Sequence, residues 1–149
     1  QAAADRLPEE FAQTLRTELR QYGAPVHIIR TVPARMKYDR EEIRVTAGES
    51  IRLIFENNDT MPHNLVLVTI GSREEVGRAA DEMATQPRAW EKGYVPESKK
   101  VLQATRLLKP GESELLTFNV PSKPGKYEFV CTFPGHWRTM YGVFNVNPG

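Results

Sequence analysis

Cys131, His136 and Met140 fall within the ten-residue stretch CTFPGHWRTM (131–140), and Cys131 is the only cysteine in the chain. The spacing C-x4-H-x3-M lets one loop turn a thiolate, an imidazole and a thioether toward a single point. Sulfur donors favour Cu(I), and imidazole also satisfies Cu(II), so this set suits a metal that cycles between the two states. A trigonal site of two histidines and a cysteine, with a long axial methionine, still needs one more histidine. The chain offers His27 and His63. His63 is the better candidate, because MPHN (61–64) opens the apolar run LVLVTI (65–70), and a loop at the mouth of a core strand can face the Cys131 loop. His27, within VHIIR, reads as a strand histidine that is bonded locally or solvated.

Each of these residues has a blander reading. A lone cysteine is usually a small buried hydrophobe. Met140 beside Tyr141 fits a core, and His136 after Gly135 fits a surface loop. Those readings would all have to hold within ten residues and coincide with MPHN 68 residues upstream of the cysteine. The joint metal reading is therefore preferred.

The elements that must position these donors follow from hydrophobic periodicity. Pro8, Glu9 and Glu10, then Leu7, Phe11, Leu15 and Leu19 at four-residue intervals, predict an amphipathic helix over 8–22, stopped by Gly23 and Pro25. From residue 26 the period changes to two. VHIIRT (26–31), and EIRVTAGESIRLIFENN (42–58) folded at AGES, read as strands. LVLVTI (65–70) reads as a continuous apolar strand of a sandwich core. SREEVGRAADEMA (72–84) is a helical insertion, followed by a Pro-broken loop through Trp90, Tyr94 and Pro96. VLQATRLL (101–108), ELLTFNV (114–120), KYEFVC (126–131) and YGVFNV (141–146) resume the strands, with KPGE and PSKPGK as turns. The expectation is an all-β Greek-key sandwich of seven or eight strands with a helical insertion and an N-terminal helix. Its domains are residues 1–25 as helix or linker and 26–149 as the metal domain.

Composition narrows the function classes. The chain has 149 residues, 20 Lys plus Arg against 19 Asp plus Glu, and a net charge of +1. That balance supplies no field for nucleic acid or an anionic membrane surface. The longest apolar runs are too short to span a bilayer, and no secretory leader is read at Gln1. One cysteine can form no internal disulfide.

CTFPGH (131–136) followed by Met140 resembles the metal-binding loop of the cupredoxins, the type 1 (blue) copper proteins, in its azurin and auracyanin form. MPHN is similar to the plastocyanin version of the first-ligand loop, and TFNVPSKPGKYEFVCTFPGHW resembles the auracyanin C-terminal half. The resemblance covers about residues 36–147 and leaves out the N-terminal helix. It implies one copper per chain, held by His63 and His136 through Nδ1, by the Cys131 thiolate and by an axial Met140. It further implies that Asn64 ties the two loops together, and that Thr132 and Phe133 form the turn whose backbone N–H can donate to the cysteine sulfur. Pro62 stands where azurin has a glycine, which favours a four-coordinate site with a closer Met140. Azurin's disulfide cannot form here, and Trp137 and Arg138 are bulkier than their azurin counterparts.

The implied function is outer-sphere electron transfer through His136, whose ring edge reaches the surface in the family. Met61, Pro62, Phe133, Pro134 and Trp137 would form an apolar collar for a redox partner such as a cytochrome or another copper protein. The family works in the periplasm or outside the cell. The rival readings are an electron-relay domain cut from a larger multidomain redox enzyme and a copper storage or delivery protein, for which one cysteine fits poorly. A Cys131 nucleophile with a histidine base is disfavoured, because no orienting acid or oxyanion-type glycine run is evident near either histidine. The chain is expected not to be an enzyme.

Overall fold

Residues 9–10, 13–14 and 25–149 are described in this computed structural model. The helix expected over 8–22 therefore lies outside the described residues, except for Glu9, Glu10, Gln13 and Thr14. The described chain folds as β1 (Val26–Val32), β2 (Lys37–Tyr38), β3 (Glu42–Thr46), β4 (Ser50–Glu56), β5 (Val66–Val68), helix α1 (Arg73–Met83), β6 (Val101–Ala104), β7 (Ser113–Asn119), β8 (Gly125–Val130) and β9 (Tyr141–Asn147). Short 3-10 turns lie at Ala89–Lys92 and His136–Arg138.

Two sheets face each other, ordered β2-β1-β4-β7 and β3-β9-β8-β5-β6. The β1–β4 and β3–β9 pairs are parallel and the remaining pairs antiparallel. Period-two alternation sends Ile51, Leu53 and Phe55 of β4 inward, where they meet Ile43 and Val45 of β3, Phe129 of β8 and Phe144 of β9. The sandwich has nine strands because the two-residue β2, too short to show a period, pairs with the end of β1.

The uninterrupted apolar run Leu65–Val68 has a structural cause. Leu65 and Leu67 point into the sandwich core, while Val66 and Val68 join Val76, Val130 and Trp137 in a second cluster beneath α1. Both faces of β5 are covered, so neither face needs polar residues. The expected strand over 101–108 stops at Ala104, and Leu108 instead makes an isolated bridge to His63. No helix among the described residues is long and apolar enough to cross a membrane.

Candidate metal centre

Strand register brings the two donor loops together. β5 runs antiparallel to β8 with Val66 opposite Val130, so the residues just before β5 lie beside those just after β8. His63 and Asn64 thus meet Cys131 and Thr132. On the other side of β8, Val130 pairs with Tyr141, and the Cys131 N–H donates to the Met140 carbonyl at 3.0 Å. The intervening loop closes through N–H bonds from His136 to the Phe133 carbonyl (2.9 Å) and from Met140 to the His136 carbonyl (2.9 Å). Gly135, at φ 82°, takes the left-handed turn that starts the 3-10 segment carrying His136.

The donor atoms of His63, Cys131 and His136 all lie within 4.8 Å of one another, and all three residues are buried. Cys131 Sγ is 3.7 Å from Nδ1 of His63 and 3.7 Å from Nδ1 of His136. With metal bonds of about 2.3 Å to sulfur and about 2.05 Å to nitrogen, that separation subtends roughly 115° at a shared ion, close to trigonal. The donor set of one thiolate and two imidazoles is that of a type 1 copper site. These three side chains are positioned to hold a single copper.

Burial sets the electrostatics. It pushes the Cys131 thiol up to about 12, although the backbone N–H groups of Asn64 and Phe133 act in the opposite direction on its sulfur. A free thiol is therefore the resting form of the metal-free site, and a bound cation would displace its proton. His136 is held down to about 4 by burial and by neighbouring His63, with Asp59 acting against both. His136 is thus neutral at neutral pH. An imidazole presents its Nδ1 lone pair only when its tautomer is fixed, and for His63 the fixing group is visible. Its Nε2 lies 2.7 Å from Oδ2 of Asp59, with both side chains buried. Burial opposes ionisation of Asp59, yet hydrogen bonds from His63 and from the N–H groups of Ala34 and Thr60 hold its carboxyl at about 2.

A hydrogen-bonded frame joins the loops. Asn64 Oδ1 accepts from the Thr132 N–H at 2.8 Å, and its Nδ2 donates to Thr132 Oγ1 (2.8 Å) and to the Gly93 carbonyl (2.9 Å). Tyr38 OH donates to the Asn64 carbonyl at 2.7 Å. Phe133 stacks edge-on against His136 (centroids 4.9 Å apart) and against Tyr94 (5.5 Å).

Helix α1 is bolted to the same loop. Asp81 accepts from Gly135 N–H (3.1 Å) and from Trp137 Nε1–H (2.8 Å), while Arg73 Nη1 donates to the Trp137 carbonyl (3.0 Å). Gly77 lies so close to the Trp137 indole that a Cβ there would overlap it.

The structure gathers His63, Cys131, His136, Asn64, Thr132, Phe133 and the backbone of Met140 at one end of the sandwich. The Met140 side chain is fully buried in the core cluster that contains Cys131. His27 is elsewhere, in β1 opposite Leu53 of β4. The expected collar needs one correction. Trp137 is 5% exposed and packs under α1, so it contributes no apolar surface around His136. Trp90 is the tryptophan left 64% exposed, and with Pro62 it lines a groove of about 510 Å³. Sequence reasoning missed Asp59, Asp81 and Gly77. Asp59 carried a usable signal, since it stands four residues before His63 in a turn-rich loop, whereas nothing local marks Asp81 or Gly77.

Two facing sheets with a buried Cys–His–His cluster at one end define a cupredoxin. Residues 28–147 match the family described as copper binding proteins, plastocyanin/azurin family, and the chain belongs to that family. It is 32% identical to auracyanin-A of Chloroflexus aurantiacus over 114 residues, covering 75% of this chain and 68% of that protein. It is 36% identical to the azurin of Pseudomonas aeruginosa over 91 residues, covering 59% of this chain and 58% of that one. The chain spans about half (51%) of the length of auracyanin-B of Chloroflexus aurantiacus. Among solved structures, the dithionite-reduced auracyanin of Roseiflexus castenholzii superposes with a TM-score of 0.74 at 32% identity, covering 84% of this chain and 98% of that one.

Proposed function

We propose that this chain is a type 1 copper electron carrier and not an enzyme. His63 and His136 would hold the copper through Nδ1, Cys131 through its thiolate, and Met140 would add a weaker sulfur donor. The observation that carries this reading is the buried triangle of one sulfur and two nitrogens, with the sulfur 3.7 Å from each nitrogen. Copper bound there supplies a one-electron Cu(I)/Cu(II) couple. The protein's part is to hold the donors still. Each sits on a loop anchored by paired strands, and the Asn64–Thr132 bonds lock those loops to each other. A frame that does not move between oxidation states keeps the cost of electron transfer low.

His136 is the electron's exit, since it keeps 3% of its surface exposed whereas His63 keeps none. A partner docks over the apolar surface of Met61, Pro62, Phe133 and Trp90, of which Met61 is 39% exposed. A small apolar patch suits brief contact with another redox protein, and the groove beside Pro62 and Trp90 borders it with Glu91, Lys92, Arg106, Lys109 and Glu114. The setting is the periplasm or cell exterior, as the resemblance implies.

Addition of Cu(II) to the purified protein should produce an intense thiolate-to-copper band that ascorbate bleaches. Cys131→Ser should abolish it. A colourless wild type, or a band that survives the substitution, would overturn the assignment.

A further inference from the structure

We infer that Asp59 is a positioning residue that tunes the copper site through His63, an inference that rests on the copper reading above. The two oxygens of Asp59 have different tasks. Oδ1 accepts from the backbone N–H of Ala34 at 3.0 Å and of Thr60 at 2.7 Å, which anchors the carboxylate. Oδ2 faces Nε2 of His63 at 2.7 Å. The loop below is fixed as well: the Asp59 N–H donates to Asn57 Oδ1, and Asn57 Nδ2 donates to the carbonyls of Met61 and Leu108. The His63 backbone adds a two-way bridge to Leu108, with N–H to carbonyl distances of 3.1 Å and 2.8 Å.

Two consequences follow for the metal. A carboxylate at Nε2 places the imidazole proton on that nitrogen, and the Nδ1 lone pair is left pointing toward Cys131 Sγ. The carboxylate also lends its negative charge to the ring, which makes Nδ1 the stronger donor. With one thiolate and one carboxylate, the charges sum to zero around Cu(II) and to minus one around Cu(I). Buried this deeply (side-chain exposures 0% and 2%), the excess charge is poorly screened. Asp59 therefore favours the oxidised state and lowers the reduction potential.

Asp59→Asn removes the charge and cannot reproduce the bonding. An amide offers one oxygen, so its NH2 must oppose either the His63 Nε2–H or the two backbone N–H groups. The test compares wild type, Asp59→Asn and Asp39→Asn by spectroelectrochemistry. Asp39 is exposed, caps the Arg30 N–H, and removes the same charge outside the site. Loss of a carboxylate behind a metal-bound histidine typically costs 10–100-fold in metal affinity. Here the loss falls chiefly on Cu(II). The Cu(II)/Cu(I) affinity ratio should drop at least tenfold in Asp59→Asn, a rise of roughly 59 mV per tenfold for a one-electron couple, with Asp39→Asn unchanged. Equal potentials for the two variants would overturn the role.

A second measurement needs no variant. Nitrogen NMR of the metal-free wild type at neutral pH should show the His63 proton on Nε2, and finding it on Nδ1 would also overturn the inference. A wild type that stays colourless with Cu(II) fails the copper reading itself. A blue wild type whose Asp59→Asn potential matches that of Asp39→Asn fails only the role of Asp59.

Discussion

Gly77→Ala sets two effects against each other, and the geometry decides between them. In the middle of α1 an alanine should help, because glycine costs a helix about 1 kcal/mol relative to alanine. The new Cβ, however, would overlap the Trp137 indole and crowd its Cβ. Trp137 has nowhere to go. Its Nε1–H is held by Asp81, its carbonyl by Arg73, and its backbone follows His136 directly. Overpacking a closed contact costs about 1–3 kcal/mol, and a neighbour tied at both ends places this case at about 3 kcal/mol. After subtracting the helix gain, about 2 kcal/mol of net destabilisation remains. For a chain of this size each kcal/mol moves Tm by about 2–4 °C, so thermal unfolding of metal-free Gly77→Ala should occur roughly 4–8 °C below wild type. Adding Trp137→Leu should recover part of the loss that Gly77→Ala causes, as expected of two residues in direct contact. A Gly77→Ala protein as stable as wild type, or more so, would refute the claim that α1 is clamped to the His136 loop.

Two further outcomes follow from the buried polar groups. In Asn64→Ala, the Thr132 N–H and the Gly93 carbonyl lose their side-chain partner inside the protein. At about 1–3 kcal/mol for each orphaned group, urea unfolding of the metal-free protein should show a loss of about 3 kcal/mol, and a loss below about 1 kcal/mol would count against the Asn64 tie. The metal-free protein should also weaken on acidification. His136 is held near 4 against an ordinary value of 6.5, so between those pH values the unfolded chain binds a proton that the folded chain refuses, and stability falls as pH falls. His27 is shifted in the same direction. Asp59, held near 2 against 3.8, extends the loss below pH 4. A Tm that stays level or rises from pH 6.5 to 4 would contradict these assignments.

The chemistry of the centre was legible because it is concentrated. Cys131, His136 and Met140 share one loop, and no distant pairing is needed to see that a thiolate, an imidazole and a thioether lie together. The strands were legible where one face is buried, as in β3, where buried Ile43 and Val45 alternate with exposed Arg44 and Thr46. Legibility failed where structure is held by contacts remote in sequence. The two residues of β2 carry no period. Trp137 reads locally as a loop residue, and only the approach of α1 at Gly77 turns it inward and away from any docking surface.

By itself, then, the amino-acid sequence determined the donor types, the metal they suit and the sandwich that carries them, because ligand chemistry and strand periodicity are local properties. The tertiary structure decided how His63, already favoured over His27 by its place at the mouth of a core strand, reaches Cys131: through the antiparallel register of β5 on β8 across 68 residues. It also decided that the carboxylate of Asp59 stands behind His63 and that α1 braces the opposite loop. Those relations depend on which backbones lie side by side, and a spacing along one chain does not encode a distance between two.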